Sequence, residues 1–186
     1  MSGLPSPVRD AVARRRSQPK VTADAPSHAE LLPLVAAAAS VADHGALRPW
    51  RLIELRGDAR ERLGAAFAEA SAADLADAAK FAGKALRASL LIAVVVSLRP
   101  SPKVAAWEQE AVASGVAHVL SLLLDDAGWG VMWRSGEFTR TEPVRALHRL
   151  ADTERLLGWL YVGGRDASEK AGSRKPFPAE EHLSAL

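Results

Sequence analysis

Residues 107 to 136, WEQEAVASGVAHVLSLLLDDAGWGVMWRSG, decide the fold of this 186-residue chain. Val112, Val116, Val119, Leu120 and Leu123 recur at intervals of three and four, the spacing that gathers side chains onto one face of an α-helix. Ala113, Ser114, Gly115 and Ala117 stay small. A narrow surface of this kind lets a second helix or a second subunit press close, and Gly115 costs only about 1 kcal/mol of helix propensity to permit it. The stretch therefore predicts a dimer seam. Gly128 breaks the helix, and the apolar run from about Gly130 to Arg134, closed by Ser135 and Gly136, reads as a strand. A long buried helix feeding a strand is the axis on which the other elements hang.

Working outward, Ser89 to Leu98 (SLLIAVVVSL) is a β-branched run apolar on both alternate faces, which predicts a central strand in a covered sheet. Leu156 to Val162 (LLGWLYV) reads as another central strand, and Trp50 to Leu55 as a strand that turns at Arg56-Gly57-Asp58. Ser6 before Pro7 is a helix N-cap with proline at the first helical position, and that helix runs to about Arg16. Ser27 and Glu30 form a capping box for a helix through Ala42, although Pro33 inside it forfeits a hydrogen bond. The alanine-rich residues 59 to 87 suit one or two amphipathic surface helices broken near Ser71. Arg99 to Lys103 is a loop, Thr141 with Pro143 opens a short helix through Leu150, and residues 163 to 186 read as a polar tail or arm.

Size and composition bound the function. The length suits one domain, and 48% hydrophobic with 25% charged residues is ordinary for a globular chain. No apolar run approaches the roughly 20 residues of a membrane span. The segment MSGLPSPVRD lacks a signal-peptide core, so a cytoplasmic protein is expected. Without cysteine there are no disulfides and no thiol chemistry. The five histidines make no H-x-x-x-H pair, so no metal site is expected. A formal charge of +2 and basic clusters without interleaved aromatics argue against a nucleic-acid partner. Gly128-Trp129-Gly130 follows a helix rather than a strand and lacks the third glycine of a dinucleotide fingerprint. Ser135 stands in R-S-G-E, not in the G-x-S-x-G elbow of a hydrolase.

Three sets of polar residues carry two readings each. Arg14, Arg15 and Arg16 suit the negative end of a helix dipole, yet arginine forks with the Ser17 hydroxyl also match phosphate oxygens. His44, beside Gly45, is either a solvated loop side chain or a ligand contact. Trp107 is either a core or interface anchor or a wall of a substrate pocket.

Arg15-Arg16-Ser17, then Asp43-His44 with Pro49-Trp50, then the small-residue helix with Gly128-Trp129-Gly130 and Trp133-Arg134-Ser135-Gly136, occur in the order found in the FMN-dependent nitroreductase family. The chain resembles the small bacterial branch of that family, over roughly residues 8 to 178. The resemblance implies an α+β nitroreductase-like fold, a central, mostly antiparallel sheet flanked by helices, with the long core helix near the interface of a homodimer. It implies FMN in a crevice lined by both subunits, NADH or NADPH as co-substrate, and a small-molecule acceptor such as a nitroaromatic or quinone. It assigns Arg15, Arg16 and Ser17 to the phosphate and ribityl chain, His44 to the ring or ribityl region, and Trp133, Arg134 and Ser135 to further flavin contacts. Arg174 or Lys175, ahead of Pro176, would reach the phosphate. Small-branch relatives often carry arginine at the place of Ser40 and glutamine at that of Arg48. No catalytic acid–base pair is implied, since hydride transfer to flavin needs none. Two other readings share the fold: a flavin-storing protein without turnover, and an interaction protein whose flavin site has decayed.

Overall fold

The computed structural model describes residues 6–71, 75–166, 168 and 176–186. Its frame is a four-stranded sheet of order β1-β2-β4-β3, built from β1 (Trp50–Leu55), β2 (Leu90–Ser97), β3 (Trp129–Arg134) and β4 (Glu154–Gly164). All three pairings are antiparallel. The two runs read as central strands, β2 and β4, do occupy the centre. β2 shows why its sequence is apolar at every position. Leu91, Ala93 and Val95 face one core, while Leu90, Ile92 and Val94 face the other, and all six are buried.

The helices are α1 (Pro7–Arg14), α2 (His28–Ala38), α3 (Asp58–Ser71), α4 (Leu75–Ala82), α5 (Ala106–Asp126) and α6 (Glu142–Leu147). The first core lies beneath α3 and α6, around Leu63, Phe67, Val144, Trp159 and Tyr161. The second lies beneath α2 and α5. Along α5 the fully buried stripe is Val112, Val116, Leu120 and Leu124 with Ala113 and Ala117 between. Each large side chain removed from water there contributes roughly 1.5–3 kcal/mol. Val119 and Leu123, expected on that stripe, are half-buried at its margin. None of the described helices is long and apolar enough to cross a membrane.

Several helix ends fall short of expectation. α1 ends at Arg14 rather than Arg16, because Arg15 turns to extended backbone. The Ser27–Glu30 capping box of α2 is present, but the helix ends at Ala38 instead of Ala42, and α6 ends at Leu147 instead of Leu150. Pro33 stands inside α2. The carbonyl it leaves without an amide belongs to Ala29, which is exposed, so water can satisfy it. The segment from residue 163 is not all tail: Gly163 and Gly164 complete β4, and Arg165 bridges to Val21.

Candidate active site

The cleft that gathers most of the chemistry opens at the C-terminal end of β3, on the α3 face of the sheet. In register, Arg134 lies opposite Trp159 and Met132 opposite Tyr161. Strand alternation therefore puts those four side chains on one face. Phe67 of α3, Phe138 from the 3-10 turn Glu137–Arg140, and Lys84 and Arg87 from the segment between α4 and β2 close the walls. With Trp133 and Ser135 they enclose about 340 Å³. Arg87 and Arg134 also line an adjoining recess of about 550 Å³, whose other walls are Pro19, Lys20, Val21 and Asp166.

The end of β3 reaches this position through a glycine. Gly158 in β4 has φ +141°, and a Cβ there would collide with the Arg134 carbonyl and lie 2.7 Å from Trp133 Nε1. The β2–β4 register slips at the same place, between Val94 and Val95. A β-bulge opposite a residue without a side chain lets the Trp133–Arg134 segment fold against β4.

The electrostatics are one-sided. Lys84, Arg87 and Arg134 make no ion pair among the described residues, and the larger recess contributes one carboxylate, Asp166. The Lys84 ammonium stands 4.1 Å above the Phe81 ring and 5.3 Å from the Phe138 ring, held by the faces of two aromatics. The Arg134 guanidinium lies 5.3 Å over Tyr161. Burial pushes the Tyr161 hydroxyl up to about 12, against the pull of Arg134 and Arg87, so it stays protonated as a neutral wall. On this face the buried donor Arg134 Nε has no acceptor; Trp133 Nε1 has none either, but its ring lies on the opposite, α5 face, edge-on to His118 at 5.0 Å. An orphaned buried donor costs about 1–3 kcal/mol, and one beside a cleft marks a place where a ligand's acceptor can belong.

Of the residues singled out from the sequence, Trp133, Arg134 and Ser135 line the cleft. Arg15, Arg16 and Ser17 sit just before the Pro19–Val21 lip, on a segment tied to β3 by the Gln18 amide donating to the Val131 carbonyl at 3.0 Å. Arg16 Nη1 caps α1, donating to the carbonyls of Ala13, Arg15 and Arg14 at 2.6, 3.0 and 3.3 Å. Arg14 pairs with Asp126 at 3.1 Å. His44 is elsewhere: it lines a groove with Val41, Trp107, Glu108 and Gly115, on the α5 face. Its Nδ1 lies 3.1 Å from Glu108, whose carboxyl is held below its ordinary value by the Ala105 amide first and by His44 second. Trp107 is 72% exposed in that groove, so it is no core anchor. Arg48 takes a left-handed backbone, φ +47°, with its amide donating to Asp43 at 2.7 Å. Arg174 and Lys175 lie outside the described residues.

Sequence reading missed Lys20, Phe67, Lys84, Arg87, Phe138, Trp159 and Tyr161. The available signal was Phe81-x-x-Lys84-x-x-Arg87, an aromatic and two cations in an otherwise alanine-rich stretch, placed immediately before a central strand.

A cleft with aromatic walls, excess positive charge and an unused donor can accommodate a planar ligand rich in acceptors. The comparisons with known proteins agree on the lineage. The description of the nitroreductase family matches residues 12–164. The chain therefore belongs to the nitroreductase family. It is 30% identical over 167 residues to the Escherichia coli K12 protein named "Putative NAD(P)H nitroreductase YdjA", covering 88% of this chain and 91% of that one. A similarly named Haemophilus influenzae protein is 28% identical over 161 residues, 84% of this chain and 88% of that one. Among solved structures, a nitroreductase-like family protein from Bacillus cereus superposes with a TM-score of 0.83 at 22% identity, over 100% of this chain and 98% of that one. NfnB, an FMN- and NADPH-dependent nitroreductase from sphigopyxis sp. strain HMH, does so with a TM-score of 0.72 at 19% identity, over 97% and 99%. These likenesses agree with the antiparallel α+β architecture described above.

Proposed function

We propose that the chain is an FMN-dependent oxidoreductase that passes reducing equivalents from NADH or NADPH to a nitroaromatic, quinone or similar acceptor. The observation that carries this reading is the cleft itself: three cations without ion pairs and an orphaned donor, Arg134 Nε, over an aromatic floor, in a chain of the nitroreductase family. The residues fit the group. FMN, when bound, supplies the redox chemistry, taking a hydride from the nicotinamide and giving two electrons to the acceptor.

The protein's own share is binding, charge and exclusion of water. Lys84, pinned by two rings, holds a fixed positive charge in the cleft, which would favour a bound ligand that gains negative charge on reduction. Arg134 Nε offers a hydrogen bond that the protein leaves unmade. Arg15, Arg16 and Ser17 would hold the phosphate. Phe67, Phe138, Trp159 and Tyr161 shut water from the cleft floor. His44 comes from the other side of the sheet, so it reaches the ligand only when a second subunit supplies it. The active species in this reading is a homodimer.

The test is reconstitution with FMN followed by gel filtration, then anaerobic addition of NADH or NADPH and of an acceptor. Retained colour, bleaching by a nicotinamide, and recovery with a nitroaromatic or quinone are expected. Colour without bleaching points instead to flavin storage, and a folded protein with no FMN affinity overturns the reading. Replacement of both Arg15 and Arg16 by alanine should release flavin with the circular dichroism spectrum unchanged; retained flavin removes them from the phosphate.

A further inference from the structure

His148 is a buried titratable side chain that the flavin reading leaves without a task. It caps the C-terminus of α6 and is 4% exposed. Its Nδ1 lies 2.8 Å from the Val144 carbonyl oxygen, and its Nε2 lies 3.1 Å from Trp159 Nε1. A carbonyl only accepts and an indole N–H only donates, so the tautomer is fixed: Nδ1 carries the proton and Nε2 the lone pair. The ring is neutral and receives the indole's hydrogen bond.

What lies beyond that bond leads to the cleft. Trp159, opposite Arg134 in the sheet, is 3% exposed and forms part of the cleft floor. Its indole meets Phe67 edge-on at 5.2 Å between centroids, Phe67 stacks on Phe138 at 5.0 Å, and Phe138 meets Phe81 edge-on at 5.4 Å. Phe81 and Phe138 are the two rings under the Lys84 ammonium. Aromatic pairs of this kind hold preferred mutual orientations, and close-packed interiors transmit a shift in one ring to the next. A chain of contacts thus runs from an imidazole remote from the cleft to the cation that stands in it.

We propose that His148 is a positioning residue: its neutral ring fixes the plane of the Trp159 indole and, through Phe67, Phe138 and Phe81, sets where the Lys84 ammonium stands. The functional consequence, a tuned flavin affinity and potential, rests on the flavin reading. The placement of Lys84 does not. A merely structural role, in which His148 only satisfies a buried N–H, would lower stability and leave Lys84 where it is.

The experiment compares wild-type protein with His148→Phe, which keeps a ring and removes the acceptor, and His148→Gln, whose side-chain carbonyl can accept from the indole. In a proton–nitrogen correlation spectrum the Trp159 indole N–H, assigned by its loss in Trp159→Phe, should be downfield and protected from exchange in the wild type. It should move upfield in His148→Phe and stay near its place in His148→Gln. The Lys84 side-chain methylene protons, shifted by the two rings beneath them, should move toward ordinary values in His148→Phe and recover in His148→Gln. FMN affinity should fall roughly tenfold in His148→Phe, the order of one net buried hydrogen bond, with a displaced flavin potential and recovery in His148→Gln.

Indole movement with an unmoved Lys84 overturns the relay. A moved Lys84 with unchanged affinity and potential overturns its functional consequence. A wild-type protein that takes no flavin sinks the flavin reading, while the Lys84 resonances still decide the relay. Should His148→Phe fail to fold, Trp159→Phe removes the donor of the same bond, and an unmoved Lys84 there likewise defeats the proposal.

Discussion

Glu154 shows how a single side chain can anchor one end of the sheet. The Arg51 guanidinium donates to it twice at 2.7 Å, Ser97 Oγ at 2.5 Å and the Ala151 amide at 3.1 Å. Arg51 above all, with Ser97 and Ala151 adding to it, holds the carboxyl at about 2 against an ordinary 4.5. A carboxylate with a depressed pKa contributes stability above pH 4.5 that is lost as pH falls toward 2. His148 acts in a higher window with the same sign. Burial and the nearby Arg51 charge keep it neutral below its ordinary 6.5. Its share is therefore complete above that pH and is lost as pH falls and the unfolded chain takes up the proton. Urea melts against pH should show stability falling first below about 6.5 and then steeply below about 4.5. His148→Phe should abolish the first step and Glu154→Gln shrink the second. A His148→Phe curve with the first step intact would assign that step elsewhere. Neither residue was legible in the sequence as more than a histidine and a glutamate near a strand. For Lys84 and Arg87 only part was local: Phe81 lies three residues from Lys84, while Phe138, Arg134 and Tyr161 come from more than forty residues away and no local spacing records them.

Elements were far more legible than sites, because their signals are local. The β1 bounds, the Ser6 and Ser27 caps and the end of α3 at Ser71 follow from periodicity and capping chemistry alone. Misplaced helix ends followed from signals that the local pattern does not carry, such as Arg16 turning back to bond the last carbonyls of α1. One inter-helix contact left a mark whose meaning is visible only in three dimensions. Gly64 in α3 reads as a weak point in an alanine-rich helix, and Ala there should gain about 1 kcal/mol of propensity. Yet a Cβ at Gly64 would lie 2.7 Å from the Ala82 carbonyl oxygen at the end of α4, backbone that cannot yield without moving the helix. Overpacking of this kind costs about 1–3 kcal/mol, so sterics outweigh propensity. Gly64→Ala should lower stability in urea by about 1–2 kcal/mol and weaken FMN binding as well, because α4 carries Phe81 toward Lys84. Gly83→Ala, where nothing lies within 4 Å of the new methyl, is the control and should be neutral or stabilising. Equal effects at both positions would show that the α3–α4 approach is not the tight one.

At the scale of the whole molecule, the sheet separates two sets of residues that the proposed flavin reading needs together. The cationic cleft opens on the α3 face, and His44 stands on the α5 face beside Trp107. Their groove, about 430 Å³, is walled by Val41, Ala42, Val104, Ala111, Val112 and Gly115. An exposed indole beside apolar and small side chains is surface that a second subunit would cover. Gly115 fits this use: a methyl placed there would meet Val41 at an ordinary 3.7 Å, so nothing within the subunit demands glycine. The small residue leaves room for something outside. A homodimer that completes the cleft would have to bring the His44 of one subunit to the cleft of the other, which one subunit cannot do for itself. Trp107→Glu should therefore yield monomers in sedimentation velocity and lose FMN together with the dimer, while circular dichroism shows the fold intact. His44→Ala should keep the dimer and weaken FMN roughly tenfold, the value of about one hydrogen bond across the seam. A Trp107→Glu monomer that holds FMN as tightly as the wild type would mean that one subunit completes the cleft unaided, and the pairing would then need another reason.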